Sequence, residues 1–111
     1  MVGCTATITN LTPLQQVRND NNFYPVDASF HSQQQSLLWN TIQPYVVVGT
    51  NFYPMQPMPV LTNRWEGLIP VSPDQNIVHY YYKFDFRYYD FGIPKTDSAR
   101  STQYELQILD K

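Results

Sequence analysis

The 111 residues predict an all-β protein, a sandwich of two sheets, and three observations carry that reading. The strongest is the run from Ile77 to Tyr89, in which Val78, Tyr80, Tyr82, Phe84, Phe86 and Tyr88 alternate with His79, Tyr81, Lys83, Asp85 and Arg87. A period of two gathers the first set on one face, which a strand does and a helix cannot. The second observation is composition. Aromatic residues make up 15% of the chain and charged residues only 14%, against an average of about 25% charged. Many Tyr, Val and Thr with few Lys, Glu, Ala and Leu is a mixture that favours strands. The third is spacing: strand-like segments recur at short intervals between Pro, Asn and Asp turns, and no sustained helical pattern interrupts them.

Taken in order, Thr5 to Thr12 alternates threonine with Ala6, Ile8 and Asn10 and reads as a first, edge-like strand that Pro13 ends. Leu14 to Phe23 is polar around Asn19-Asp20-Asn21-Asn22 and reads as a loop with at most one helical turn, because Asn and Asp side chains bond the nearby backbone. Tyr24 to His31 restores the period of two, with Tyr24, Val26, Ala28 and Phe30 on one face. Ser36 to Ile42 is too short to assign. Tyr45-Val46-Val47-Val48, between Pro44 and Gly49, is a β-branched run of the kind found in buried strands.

Thr50 to Thr62 holds Pro54, Pro57 and Pro59, each without an N–H, and is expected at a sheet edge or as an extended crossing segment. Asn63 to Val71 places Trp65, Gly67, Ile69 and Val71 on one face, and Pro73-Asp74 forms a turn before the long central strand. Asp90 to Ser101 reads as a loop, and Thr102 to Leu109 as a last strand with Tyr104, Leu106 and Ile108 inward. The expected core between the sheets is Phe30, Val47, Trp65, Tyr80, Tyr82, Phe84, Phe86 and Leu106.

The totals bound the function. A chain of this length suits one domain and can bury a core without metal or disulfide help. The single cysteine, Cys4, excludes an internal disulfide. A net charge of −2 argues against nucleic-acid binding through phosphate neutralisation. No apolar run reaches the roughly 20 residues of a membrane helix.

Met1-Val2-Gly3-Cys4 resembles the end of a bacterial lipoprotein signal: an aliphatic pair, a small residue, then the cysteine that is acylated. On this reading residues 1–5 are a lipobox-like N-terminus and tether, residues 6–111 form the β-sandwich domain, and a lipid on Cys4 holds the domain at a membrane surface. Arg64-Trp65-Glu66 through Ile69-Pro70-Val71, the Pro73-Asp74 turn and Tyr82-Lys83-Phe84-Asp85 resemble the final half of starch- and glycogen-binding modules. The segments above count to about seven strands, and that resemblance implies that they form an immunoglobulin-like antiparallel β-sandwich. The run is largely structural in that family, whose second sugar-stacking tryptophan has no counterpart near the central strand here. Thr9-Asn10-Leu11-Thr12-Pro13, Tyr24-Pro25-Val26, Val46-Val47-Val48 and Tyr82-Lys83-Phe84-Asp85 are similar to pieces of small bacterial envelope lipoproteins. This implies an outer-membrane or periplasmic address and no activity.

Catalytic chemistry is not expected. His31 and His79 are far apart and each sits on the polar face of a strand, so neither metal nor other cofactor is expected. Glu66, Asp85 and Glu105 fall on separate outward faces rather than as an acid–base pair. Lys83, Asp85 and Arg87 read as a solvated charge ladder paired to a neighbouring strand. Tyr81 breaks that polar face, and with Tyr53 and Trp39 it is a candidate contact residue. Two functions follow: a non-catalytic, lipid-anchored envelope protein that binds other envelope proteins or itself through strand edges, or a carbohydrate-binding module with Trp39, Tyr53 and Tyr81 as stacking platforms. The first strand and the proline-rich segment are the candidate edges for strand addition.

Overall fold

A computed structural model describes residues 6–32, 37–61 and 63–110. These residues form strands and turns without helix: β1 (Ala6–Asn10), β2 (Gln15–Val17), β3 (Phe23–Ser32), β4 (Leu37–Val48), β5 (Asn51–Pro54), β6 (Gln56–Pro57), β7 (Arg64–Pro70), β8 (Ile77–Asp90), β9 (Ile93–Arg100) and β10 (Tyr104–Leu109). They build two sheets packed as a sandwich. The smaller has the order β1-β3-β7-β6, and the larger the order β2-β10-β8-β4-β5, with β9 also paired to β8. Ten strands are present among the described residues, where about seven were expected, because short and polar segments also join the sheets. The pairings are antiparallel except β2 with β10, which run parallel.

The core is the product of the period-two pattern. Tyr80, Tyr82, Phe84 and Phe86 of β8 face Tyr24, Val26, Ala28 and Phe30 of β3, all of them buried. Phe30 stacks on Phe84 with ring centroids 4.7 Å apart, and Trp65 stands edge-on to both rings. Leu106, Ile108, Ile69 and Val71 close the rest. One expected core residue sits elsewhere. Val46, cross-strand from Tyr82, is the β4 valine that enters the core; Val47 is cross-strand from Tyr81 and therefore lies on the other face of the sheet. It is still buried, lying between its cross-strand partners Tyr81 and Phe52. A run of three valines gave no phase, so the register had to come from the partner strand.

Two polar rings inside the sandwich keep hydrogen-bond partners. The Tyr82 hydroxyl donates to Asn10 Oδ1 at 2.7 Å and stands 3.0 Å from Thr12 Oγ1. Asn10 Nδ2 in turn donates to the Tyr80 hydroxyl at 3.1 Å. This network ties β1 and the turn after it to the centre of the opposite sheet. Burial pushes the Tyr82 phenol well above the usual tyrosine range, because a phenolate would lose its water there.

Three segments differ from the sequence expectation. Gln15–Val17 is a strand, held through hydrogen bonds from Arg18 N to Leu109 O and from Gln107 N to Leu14 O. The segment Ile93–Arg100, expected as a loop, is paired residue by residue with β8 from Asp90 back to Lys83. β4 begins at Leu37, well before the valine run. The charge ladder also differs: Lys83 pairs with Asp85 on its own strand at 2.8 Å, where a partner across the sheet was expected.

Candidate functional site

The proline-rich segment shapes an apolar depression on the described surface. β5 ends at Pro54, the chain crosses at Met55 to the other sheet, and β6 lasts only for Gln56 and Pro57. Pro54 and Pro57 cannot donate to a ladder, which is why both strands are short and lie at sheet edges. β6 pairs with β7 at Trp65 and Glu66, and Met58 N donates to Arg64 O just beyond it. From Gly67 to Pro70 no strand among the described residues pairs with β7 on that side. The space left there is a groove of about 430 Å³ lined by Pro25, Tyr53, Pro54, Gln56, Glu66, Gly67 and Leu68. On the inward side of β7, Gly67 makes room for the core: a Cβ at that position would stand 3.2 Å from Met55 Cγ. Leu68, cross-strand from Pro25, is 55% exposed at its rim, and Phe23 extends the apolar surface along β3.

A second depression lies on the outer face of the large sheet. Between Leu38 and Gln43 the register of β4 against β8 slips, and Thr41 pins the resulting bulge by donating to Leu38 O at 2.6 Å and accepting from Arg87 N at 3.0 Å. The bulge opens a wide polar trough with Asn40, Gln43, Asp85, Arg87, Thr96 and Asp97 among its lining residues. It is shallow and carries no unpaired buried nucleophile.

The three rings singled out from sequence do not converge. Tyr81 is on the outer face of the large sheet, partly buried, with the Arg100 guanidinium 4.7 Å from its ring centre. Trp39 rides on the β4 bulge, 47% exposed, with its edge toward Phe30. Tyr53, expected to be exposed, is cross-strand from Val46, half-buried, and packs against the core while its remaining surface lines the groove. Cys4 lies outside the described residues. The first strand and the proline-rich segment do lie at sheet edges, β1 and β6 at the two edges of the small sheet and β5 at an edge of the large one.

Among the described residues no group of three or more His, Cys, Asp or Glu could hold a metal ion, and no helix is long and apolar enough to cross a membrane. His79 approaches Glu105 at 3.5 Å on the solvent face, and Glu66 and Asp85 lie on different sheets. The groove beside Leu68 was not legible in the sequence, since it depends on where β6 stops. The only signal was the proline spacing. No family model matches the chain, and no curated protein or solved structure matches it either.

Proposed function

We propose that the protein is a non-catalytic interaction module of the bacterial envelope, tethered by a lipid on Cys4, which holds an extended segment of another protein, or of a second copy, in the groove beside β7. The observation that supports this most is the juxtaposition at Leu68. A stretch of strand edge without a strand partner adjoins an apolar groove with a polar rim at Gln56 and Glu66. A strand edge offers main-chain hydrogen bonds, and alternate side chains of an added strand would find the groove, the two elements of recognition by strand addition. The carbohydrate reading has less support, because its three rings sit on separate surfaces and Tyr81 is covered by Arg100.

The test is a photo-cross-linking amino acid placed at Leu68 in cells that make the full-length protein. A discrete adduct is expected from Leu68, and none from the same reagent at Thr7 on the opposite edge of the small sheet. An absence of adducts at Leu68, with the protein folded and at its native level, retires the reading. Weighing the mature N-terminus tests the tether: an unmodified Cys4 with its preceding residues retained would remove it.

A further inference from the structure

The β8–β9 hairpin breaks a local rule with no return to the fold. Its two-residue loop, Phe91-Gly92, has φ of +51° and +76°, the signature of a type I′ turn. Asn or Asp normally fills the first place, because a bulky side chain is strained there. Here a phenylalanine occupies it and is 98% exposed. The ring contributes nothing to the core, so its presence in a strained backbone points away from folding and toward an outside partner.

The surroundings say which kind. Phe84 is level with Phe30, and β8 continues past it, flanked by β4 as far as Leu37 opposite Tyr88, and carries Phe91 roughly 20 Å beyond Phe84 along the strand axis. Along that projecting arm the side chains are ordered by polarity. Phe91 and Ile93 form the exposed tip, with Asp90 opposite Ile93; Tyr89 follows, then Tyr88 level with Lys95, and Arg87 comes one pair further back. Apolar tip, tyrosine belt, then long cationic side chains is the depth order of a bilayer interface. Arg87 and Lys95 are balanced by Asp90 and Asp97, and Lys95 binds Asp90 at 2.8 Å, so the arm carries no net charge toward anionic headgroups. The same end of the sandwich presents Val60, fully exposed with φ of +71°, and Leu61 in the β6–β7 loop.

We infer that the Phe91 hairpin tip is a lipid contact, inserting between the headgroups of a zwitterionic bilayer. The orientation rests on the proposed tether. Ala6 pairs with Ser32 at this end of the small sheet, and Cys4 is two residues away, at most ~7 Å of chain. A lipid on Cys4 therefore draws this end of the small sheet to the membrane, and Leu68, paired with Pro25 seven residues back along β3, lies away from it. An inserted aromatic tip supplies a second point of attachment beside the lipid and fixes the orientation of the domain on the bilayer.

The test uses the full chain with Cys4→Ser, so that no acyl chain contributes, and vesicles of phosphatidylcholine or phosphatidylethanolamine. Sedimentation with both is expected, with little change on adding phosphatidylglycerol or salt. Phe91→Asn, which suits the turn and keeps the fold, should lower the partition coefficient about tenfold, the scale of losing one partly buried aromatic ring. Phe91→Trp should give a blue-shifted emission quenched by bromine-labelled acyl chains. Protein that stays in the supernatant overturns the inference, as does equal sedimentation of wild type and Phe91→Asn. Binding that appears only with phosphatidylglycerol and vanishes in salt overturns it too. A cross-link at Leu68 without vesicle binding would sink this inference and spare the groove; the reverse result would do the opposite.

Discussion

Tyr82 is the residue at which buried ring and buried polarity meet. Its ring lies in the core and its hydroxyl is shared among Asn10, Thr12 and the Asp27 carbonyl. Tyr82→Phe keeps the ring and leaves Asn10 Oδ1 short of a donor, so urea denaturation should show a loss of about 1–3 kcal/mol. The pH dependence has a definite sign. Below the ordinary tyrosine pKa of about 10 both states hold the phenolic proton, and the group adds no pH slope. Above it the unfolded chain releases the proton while the native state, its pKa raised by burial, keeps it. Stability therefore falls as pH rises past that point, by up to ~1.4 kcal/mol per pH unit from this group. Tyr82→Phe should show a shallower alkaline decline than wild type; equal slopes would place the buried proton elsewhere. Phe91 carries the opposite expectation. Phe91→Asn relieves a left-handed backbone at an exposed ring and should raise the thermal midpoint, by about 1 kcal/mol of stability.

Among the elements, β4 and β9 depend most on their partners. The β4 bulge places four residues, Trp39 to Ile42, against Phe86 alone, and Thr41 fastens it to both strands. Thr41→Val removes those bonds at nearly constant volume. The expected loss is about 1 kcal/mol, with a change in Trp39 emission as the bulge loosens. β9 is exposed along nearly its whole length and holds no apolar face, only Ala99 packing inward. Its stability is that of a hairpin arm. Hydrogen exchange should show the β8 amides that face β4, at Tyr81, Lys83 and Asp85, opening only with global unfolding, and those of Ile93 to Ser98 exchanging much earlier. Uniform protection across both strands would contradict an independent arm. Pro94, Lys95 and Asp97 also guard the outer edge of β9 against unwanted strand addition, which leaves the groove beside β7 as the better place for a partner.

For the whole molecule, the sandwich holds by aromatic packing without a cystine. Trp65 touches Phe30 and Phe84 edge-on, so Trp65→Ala should cost about 3–5 kcal/mol, a large share of the roughly 5–15 kcal/mol such domains possess. A loss below about 1 kcal/mol would mean that the core is looser than its contacts suggest. The molecule extends 54 Å along its long axis but only 18 Å across. The interior is consequently thin, and each ring counts for more.

The alternation of side chains was enough to identify β1, β3, β7, β8 and β10 and the face each buries, because a half-buried strand writes its environment into every second residue. It also placed the first strand and the prolines at edges, since a residue without an N–H cannot serve a central strand. It was silent wherever a segment is ordered by its neighbour's backbone rather than by its own apolar face. β2 and β9 are polar on both sides, and only hydrogen bonds to β10 and β8 make them strands. Val46 and Val47 are chemically equal, and only pairing with Tyr82 and Tyr81 tells inside from outside. The separation of Trp39, Tyr53 and Tyr81, the open edge at Leu68 and the projecting Phe91 turn are likewise matters of register and of where strands stop. Those quantities depend on contacts between distant parts of the chain, which local periodicity does not encode.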